Sequence, residues 1–133
     1  MNKVRGYIFS RPFMGERIPQ NIQNLAIRDF CSKNDLDFLL SATEYAMADS
    51  FLMLANVLDE LPQIDGIVAY SLFQLPENDQ ERQLIFQSIL KLNKSFYFAL
   101  EGLHASTATD FSRIDTLWKV KKTLPRCYLS QLV

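Results

Sequence analysis

Apolar runs alternate with polar stretches along this chain, and their order predicts strands and helices in turn. Residues 4–9 form a short apolar run bounded by polar positions, the signature of a strand. Residues 10–17 read as a loop holding Pro12 and Gly15. Pro19 suits the first turn of a helix, where its missing N–H costs nothing. Ile22, Leu25, Ala26 and Phe30 recur at helical spacing through that segment, which the polar run 32–35 ends. A second strand is predicted over 38–42, then a loop at 43–48, with Asp49 or Ser50 as the cap of the next helix. Phe51, Leu54, Ala55, Leu58 and Leu61 form the apolar stripe of that helix, and Pro62 stops it. The third strand, 66–70, is nearly all apolar, as a strand covered on both faces should be. Asn78 or Asp79 caps a third helix, whose Ile85, Phe86, Ile89 and Leu90 face inward, and a fourth strand spans 96–100. Beyond Gly102 a small polar stretch, 105–109, leads to a last helix starting at Thr109 or Asp110. That helix carries Phe111, Ile114, Leu117 and Trp118 on one face, and Pro125 ends it. Lys119, Lys121 and Lys122 lie near its end, where cations suit the helix dipole.

This rhythm predicts an α/β fold with about four strands in a mostly parallel sheet, flanked by helices and closed by a C-terminal helix over 109–123. The 133 residues fit a single domain, 1–133, with one core. Linkers are short, and neither repeats nor low-complexity stretches interrupt the pattern.

Charge narrows the partners. Net charge is −1 and the isoelectric point about 5.8, without the basic excess that phosphate neutralisation demands, so nucleic acid is disfavoured. Cys31 and Cys127 stand far apart, make no zinc spacing, and read as free thiols of a reducing compartment. With His104 as the single histidine, no metal site is expected, and no cofactor either. No apolar run approaches the roughly 20 residues of a membrane span, and the first six residues lack a signal-peptide core. The expectation is a cytoplasmic protein without membrane contact.

In open parallel sheets, ligands bind beyond the carboxyl ends of the strands. The loops expected there are 10–17, 41–45, 70–77 and 101–104, and they supply a dense polar set. Ser10, Glu44 and Glu101 are the catalytic candidates; Arg11, Glu16, Arg17, Thr43, Tyr45, Tyr70, Ser71 and His104 are the ligand-binding candidates. Arg11 and Arg17 straddle a Pro/Gly loop before a helix N-terminus and could hold a phosphate or carboxylate, or be solvated loop charges. Ser10 as a nucleophile needs a base, for which His104 is the only histidine; otherwise its hydroxyl caps the loop or binds ligand. Glu44 and Glu101 could form an acid/base pair across the mouth, or pair structurally with the arginines. His104 also reads as a surface residue. Phe13, Met14, Tyr45 and Phe73 could wall a pocket over a sugar ring or cap the sheet. Trp118 and its neighbours are core, or a dimer interface if the last helix projects.

Several segments carry a resemblance. Gly6-Tyr7 opening the first strand, residues 23–25 (QNL) with Cys31, residues 66–75 (GIVAYSLFQL), and residues 101–109 (EGLHASTAT) before a helix are similar, in order and spacing, to serine recombinase (resolvase) catalytic domains. Over residues 4–122 the resemblance implies a three-layer resolvase-like fold whose C-terminal helix serves dimerisation, hence a homodimer. It also implies a serine nucleophile and an arginine clamp on the scissile phosphate. Here Ser10 stands one residue early, Arg11 occupies the nucleophile's place, and the turn that should carry an acid and two arginines reads Phe73, Gln74 and Glu77. Without that clamp, phosphoryl transfer to DNA lacks its stabiliser, and no DNA-binding domain is expected after Val133. Residues 6–17 (GYIFSRPFMGER), 40–47 (LSATEYAM) and 65–73 (DGIVAYSLF) resemble a small family encoded sporadically in bacterial surface-carbohydrate gene clusters. That likeness implies a role in lipopolysaccharide O-antigen or capsule biosynthesis, acting on or binding a small sugar or sugar-phosphate ligand. The alternative is a non-catalytic dimeric scaffold or regulator built on the recombinase fold.

Overall fold

The computed structural model describes residues 2–13, 15–47 and 50–123. Its elements run β1 (Asn2–Phe9), α1 (Gln20–Lys33), β2 (Leu36–Glu44), α2 (Leu52–Glu60), β3 (Gly66–Ala69), α3 (Asp79–Lys91), β4 (Ser95–Phe98), β5 (Leu103–Ala105) and α4 (Ala108–Thr123). Single 3-10 turns at Leu61–Gln63 and Leu72–Gln74 flank β3. The sheet order is β2-β1-β3-β4-β5, parallel through the first four and antiparallel at β5. The sheet therefore has five strands where four were expected. The fifth is three residues long and follows a turn through Gly102 at φ 66°, too short to carry a periodic signal.

Side chains alternate across the strands and build two cores. Tyr7, Phe9, Ile67, Ala69, Phe96 and Phe98 face α2, α3 and α4. Val4, Ile8, Val68 and Tyr97 face α1 through Ile27 and Cys31. This gives three layers, with α1 alone on one face. β3, at the centre, is buried at all four positions, as its apolar run required.

The α1 stripe differs from expectation. Ile22 and Leu25 are 45% and 66% exposed, whereas Gln23, Ile27 and Cys31 are buried. The helix is turned by about one position because a glutamine occupies the inward stripe. In α2 the inward residues are Leu54, Val57 and, just beyond, Leu61, while Ala55 is exposed. Residues 43 and 44 belong to β2 rather than to a loop. The cap of α3 is Asn78, whose side chain accepts the Glu81 N–H at 3.0 Å. Phe111, Ile114 and Trp118 of α4 are core. The expected Asp49 cap, the Pro125 stop, and the Cys127 and Met14 roles lie outside the described residues.

Two glycines are required by close approach. A Cβ on Gly6 would lie 2.2 Å from the Ser41 hydroxyl oxygen and 2.8 Å from the Phe38 ring. A Cβ on Gly66 would lie 2.5 Å from the Ser95 backbone carbonyl oxygen. Opposite Gly6, β2 shifts register between the partners of Arg5 and Tyr7, so Leu40 and Ser41 bulge.

Candidate functional site

The parallel strands end along one edge, so the loops after β1, β2, β3 and β4 do share a mouth. Within it the polar residues divide into separate local networks.

The β1–β2 half centres on Glu44, which is 1% exposed. One carboxylate oxygen accepts the Tyr7 hydroxyl at 2.9 Å and the Leu54 N–H at 3.2 Å. The other accepts the Tyr45 N–H at 3.0 Å, and the Ser50 hydroxyl and Met53 N–H at 3.2 Å each. Glu44 thus caps α2 from the preceding strand, placing negative charge at a positive helix end. Burial, then the neighbouring Glu44 charge, pushes the Tyr7 phenol far above its ordinary range. The Ser10 hydroxyl donates to the Glu44 carbonyl at 2.8 Å. Arg11 donates through one nitrogen, Nη1, to the carbonyls of Tyr45 (2.9 Å), Met47 (3.2 Å) and Ser50 (2.9 Å). Its guanidinium also lies 4.2 Å from the Phe9 ring centre and 5.0 Å from that of Phe51. Arg11 therefore clamps the carbonyls of Tyr45, Met47 and Ser50 together.

The β3–β4 half is built on Ser71 and Glu101. The Ser71 hydroxyl donates to Glu101 at 2.7 Å and accepts the Phe73 N–H at 3.1 Å. The second Glu101 oxygen accepts the Leu72 N–H at 3.1 Å, which fastens the turn after β3 to the end of β4. Tyr70 is 8% exposed and meets Phe13 edge-on at 6.1 Å. Its phenol is shifted up by burial, then by Glu101 and Glu16.

Two glutamines join the halves. Gln23 accepts the Phe9 N–H at 3.0 Å and donates to the Phe9 carbonyl at 2.9 Å and the Ile18 carbonyl at 2.8 Å. Gln74 donates to Gln23 at 2.7 Å and accepts the N–H groups of Tyr70 (3.1 Å) and Ser71 (3.3 Å). Both are fully buried with satisfied amides, so the polar network ties α1 to the ends of β1 and β3.

The expected catalytic set is not assembled. Glu44 ends β2 and Glu101 follows β4, three strand spacings away, about 14 Å. Neither carboxylate pairs with an arginine; both hold backbone N–H groups. His104 lies on β5, opposite Tyr97 and stacked on its ring at 5.2 Å, three strands from the β1 end where Ser10 sits. Ser10 therefore has no histidine base. Of the remaining candidates, Thr43 is half-buried, Tyr45, Glu16 and Arg17 are exposed, and Glu16 pairs only its backbone with Phe13. Among the described residues no three metal-ligating side chains gather, and no helix is long and apolar enough to cross a membrane.

One charged centre escaped the sequence reading. Arg82 of α3 is fully buried, donates to the Pro76 and Glu77 carbonyls at 3.1 Å each and to Asp115 at 2.7 Å, and pairs with Asp79. Its guanidinium lies 4.0 Å from the Trp118 ring. The one available signal was Asn78-Asp79 four and three residues before an arginine, a pattern equally at home on a solvated helix face.

No family model and no curated protein matches the chain. Solved structures do. The chain is similar to the N-terminal catalytic domain of TP901-1 integrase, with TM-score 0.64 and 13% identity over 90% of this chain and 98% of that one. It is also similar to a resolvase family site-specific recombinase from Streptococcus pneumoniae, with TM-score 0.61 and 10% identity over 96% of this chain and 94% of that one. The fold is therefore that of resolvase catalytic domains. Where the resemblance places the nucleophile and clamp, Arg11 holds three carbonyls, Phe73 packs against the core, and Gln74 is buried in the glutamine pair.

Proposed function

We propose that this chain is a non-catalytic interaction module built on the serine recombinase fold. The observation that carries the reading is the engagement of the mouth's buried and half-buried polar groups with the protein's own backbone and with one another. Glu44, Glu101, Gln23, Gln74 and Arg11 act as caps and clamps, which leaves no nucleophile–base pair and no phosphate clamp. Pairing of two copies through α4, the form the resemblance implies, would use its outer side, where Thr109, Ser112, Arg113, Thr116 and Leu117 line a shallow depression of about 430 Å³.

A second reading, a sugar-phosphate binder of surface-polysaccharide biosynthesis, is favoured by one feature. The first turn of α1 has neither a side-chain cap nor an acidic residue, and the exposed Arg17 precedes it without an ion pair among the described residues. A thermal-shift screen of sugar phosphates, nucleotide sugars and sugar acids separates the readings. The module reading expects no stabilisation. A ligand at about 100 times its Kd would add roughly 2.7 kcal/mol; such a gain, lost in Arg17→Ala, would replace the first reading with the second.

A further inference from the structure

Beside the mouth, and sharing Met47, Ser50, Phe51 and Pro76 with its loops, the surface offers a groove of about 510 Å³ between α2 and α3. Leu52 and Ala55 form one wall and Leu84 the other, with Leu58 and Ile85 at the floor and Glu81 at the rim. Leu52 is 60% and Leu84 63% exposed, and Met47, also in the lining, is 64% exposed. Three large exposed apolar side chains thus converge on one concave surface, the kind of patch that marks an interaction site. Among the described lining residues only Ser50 and Glu81 are polar or charged, too few to orient a hydroxylated small ligand.

We infer that this groove receives an apolar helix of a partner protein that carries basic residues beside its leucine-type anchors. The walls are two helices with anchor positions a turn apart, which suits helix-in-groove docking. Charge selects the partner. Glu81 is the only charged residue among the described residues of the lining, and Asp59 follows Ala55 by one turn on the same exposed stripe of α2. Neither forms a salt bridge among the described residues, while Arg11, on the far side of the Phe51 ring, has its Nη1 on backbone carbonyls. A second copy docked by a twofold through this face would bring the same carboxylates and no cation from the described lining, so a basic segment is the better complement.

The inference rests on the interaction-module reading, yet the two fail separately: the small-ligand screen probes the mouth, and the experiment here probes the groove. Two labelled helical peptides of about 14 residues serve as probes, one of leucine and lysine with leucines at i, i+3, i+4 and i+7, the other with glutamate for each lysine. Fluorescence anisotropy should show saturable binding of the lysine peptide, weakened roughly tenfold or more by Leu84→Asp and by Leu52→Asp. Both positions are exposed, so these variants keep the wild-type melting temperature. Glu81→Lys should weaken the lysine peptide and favour the glutamate one. Equal binding of both peptides, or binding unaffected by all three substitutions, overturns the inference. So does self-association in sedimentation velocity that Leu84→Asp abolishes, which would assign the groove to a second copy.

Discussion

Glu44 accepts five hydrogen bonds while almost wholly removed from water, so its neighbours depend on it more than it depends on them. Glu44→Ala strands the Tyr7 hydroxyl and the N–H groups of Tyr45, Met53 and Leu54, and should cost about 3 kcal/mol in denaturant unfolding. Glu44→Gln keeps one acceptor oxygen and should fall between that variant and wild type. Gln74→Leu should cost about 2 kcal/mol, because the Tyr70 and Ser71 N–H groups lose an acceptor inside the protein. These residues also mark what the sequence could and could not convey. Glu44 stands among the polar residues of a strand end, so its presence at the mouth was readable. Its role was not, since the cap of α2 comes from the strand before it and a local search finds only Asp49 and Ser50. Gln23 hid for a related reason: a polar residue on an amphipathic helix counts as outward until its tertiary partner is known, and that moved the α1 stripe by one position.

At the scale of elements, the long periodic segments were legible and the junctions were not. β3 and α3 read correctly because burial on both faces and a 3.6-residue period leave large signals. β5 left none, and α4 was recognised as a helix without its anchor. That anchor is Arg82, a single buried cation that reaches two carbonyls of the 76–77 turn and Asp115 of α4 while stacking on Trp118. Arg82→Ala should release α4 first: hydrogen exchange of 111–119 should accelerate by more than that of β1 and β3. Arg82→Lys should rescue little, since an ammonium cannot reproduce the planar fork. The two strand glycines should respond differently to alanine. Gly6→Ala meets the Ser41 side chain and should cost about 1–3 kcal/mol, partly recovered by adding Ser41→Gly. Gly66→Ala meets backbone at β4, has no compensating side-chain change, and should be the more damaging of the two.

For the molecule as a whole, stability should decline on both sides of neutrality for separate reasons. The Arg82 hydrogen bond holds Asp79 below the usual carboxylate range, the Ser106 N–H does the same for Asp110, and the Arg5 hydrogen bond for Glu60. The stability these groups add is complete above the unfolded carboxylate range, about 4, and is lost as pH falls through their lower folded values. Burial moves the Cys31 thiol the other way, from 9.0 to about 11. The unfolded chain then releases its proton first, so stability should fall as pH climbs between those values. Melting temperatures across acid and alkaline series test both limbs, and Cys31→Ala should reduce the alkaline loss without abolishing it, because burial raises the Tyr7 and Tyr70 phenols as well.

The bulge at Leu40–Ser41 reaches beyond the single molecule. It bends the rim strand β2, where one side of the ladder has no neighbour in the sheet, and the Arg5 guanidinium seals the Leu40 carbonyl at 2.8 Å. A rim that is kinked and plugged makes a poor template for cross-β growth, even with Leu40 74% exposed on it. Arg5→Ala should unplug it, and concentrated samples of that variant should form thioflavin-positive fibrils sooner than the wild type under the same conditions.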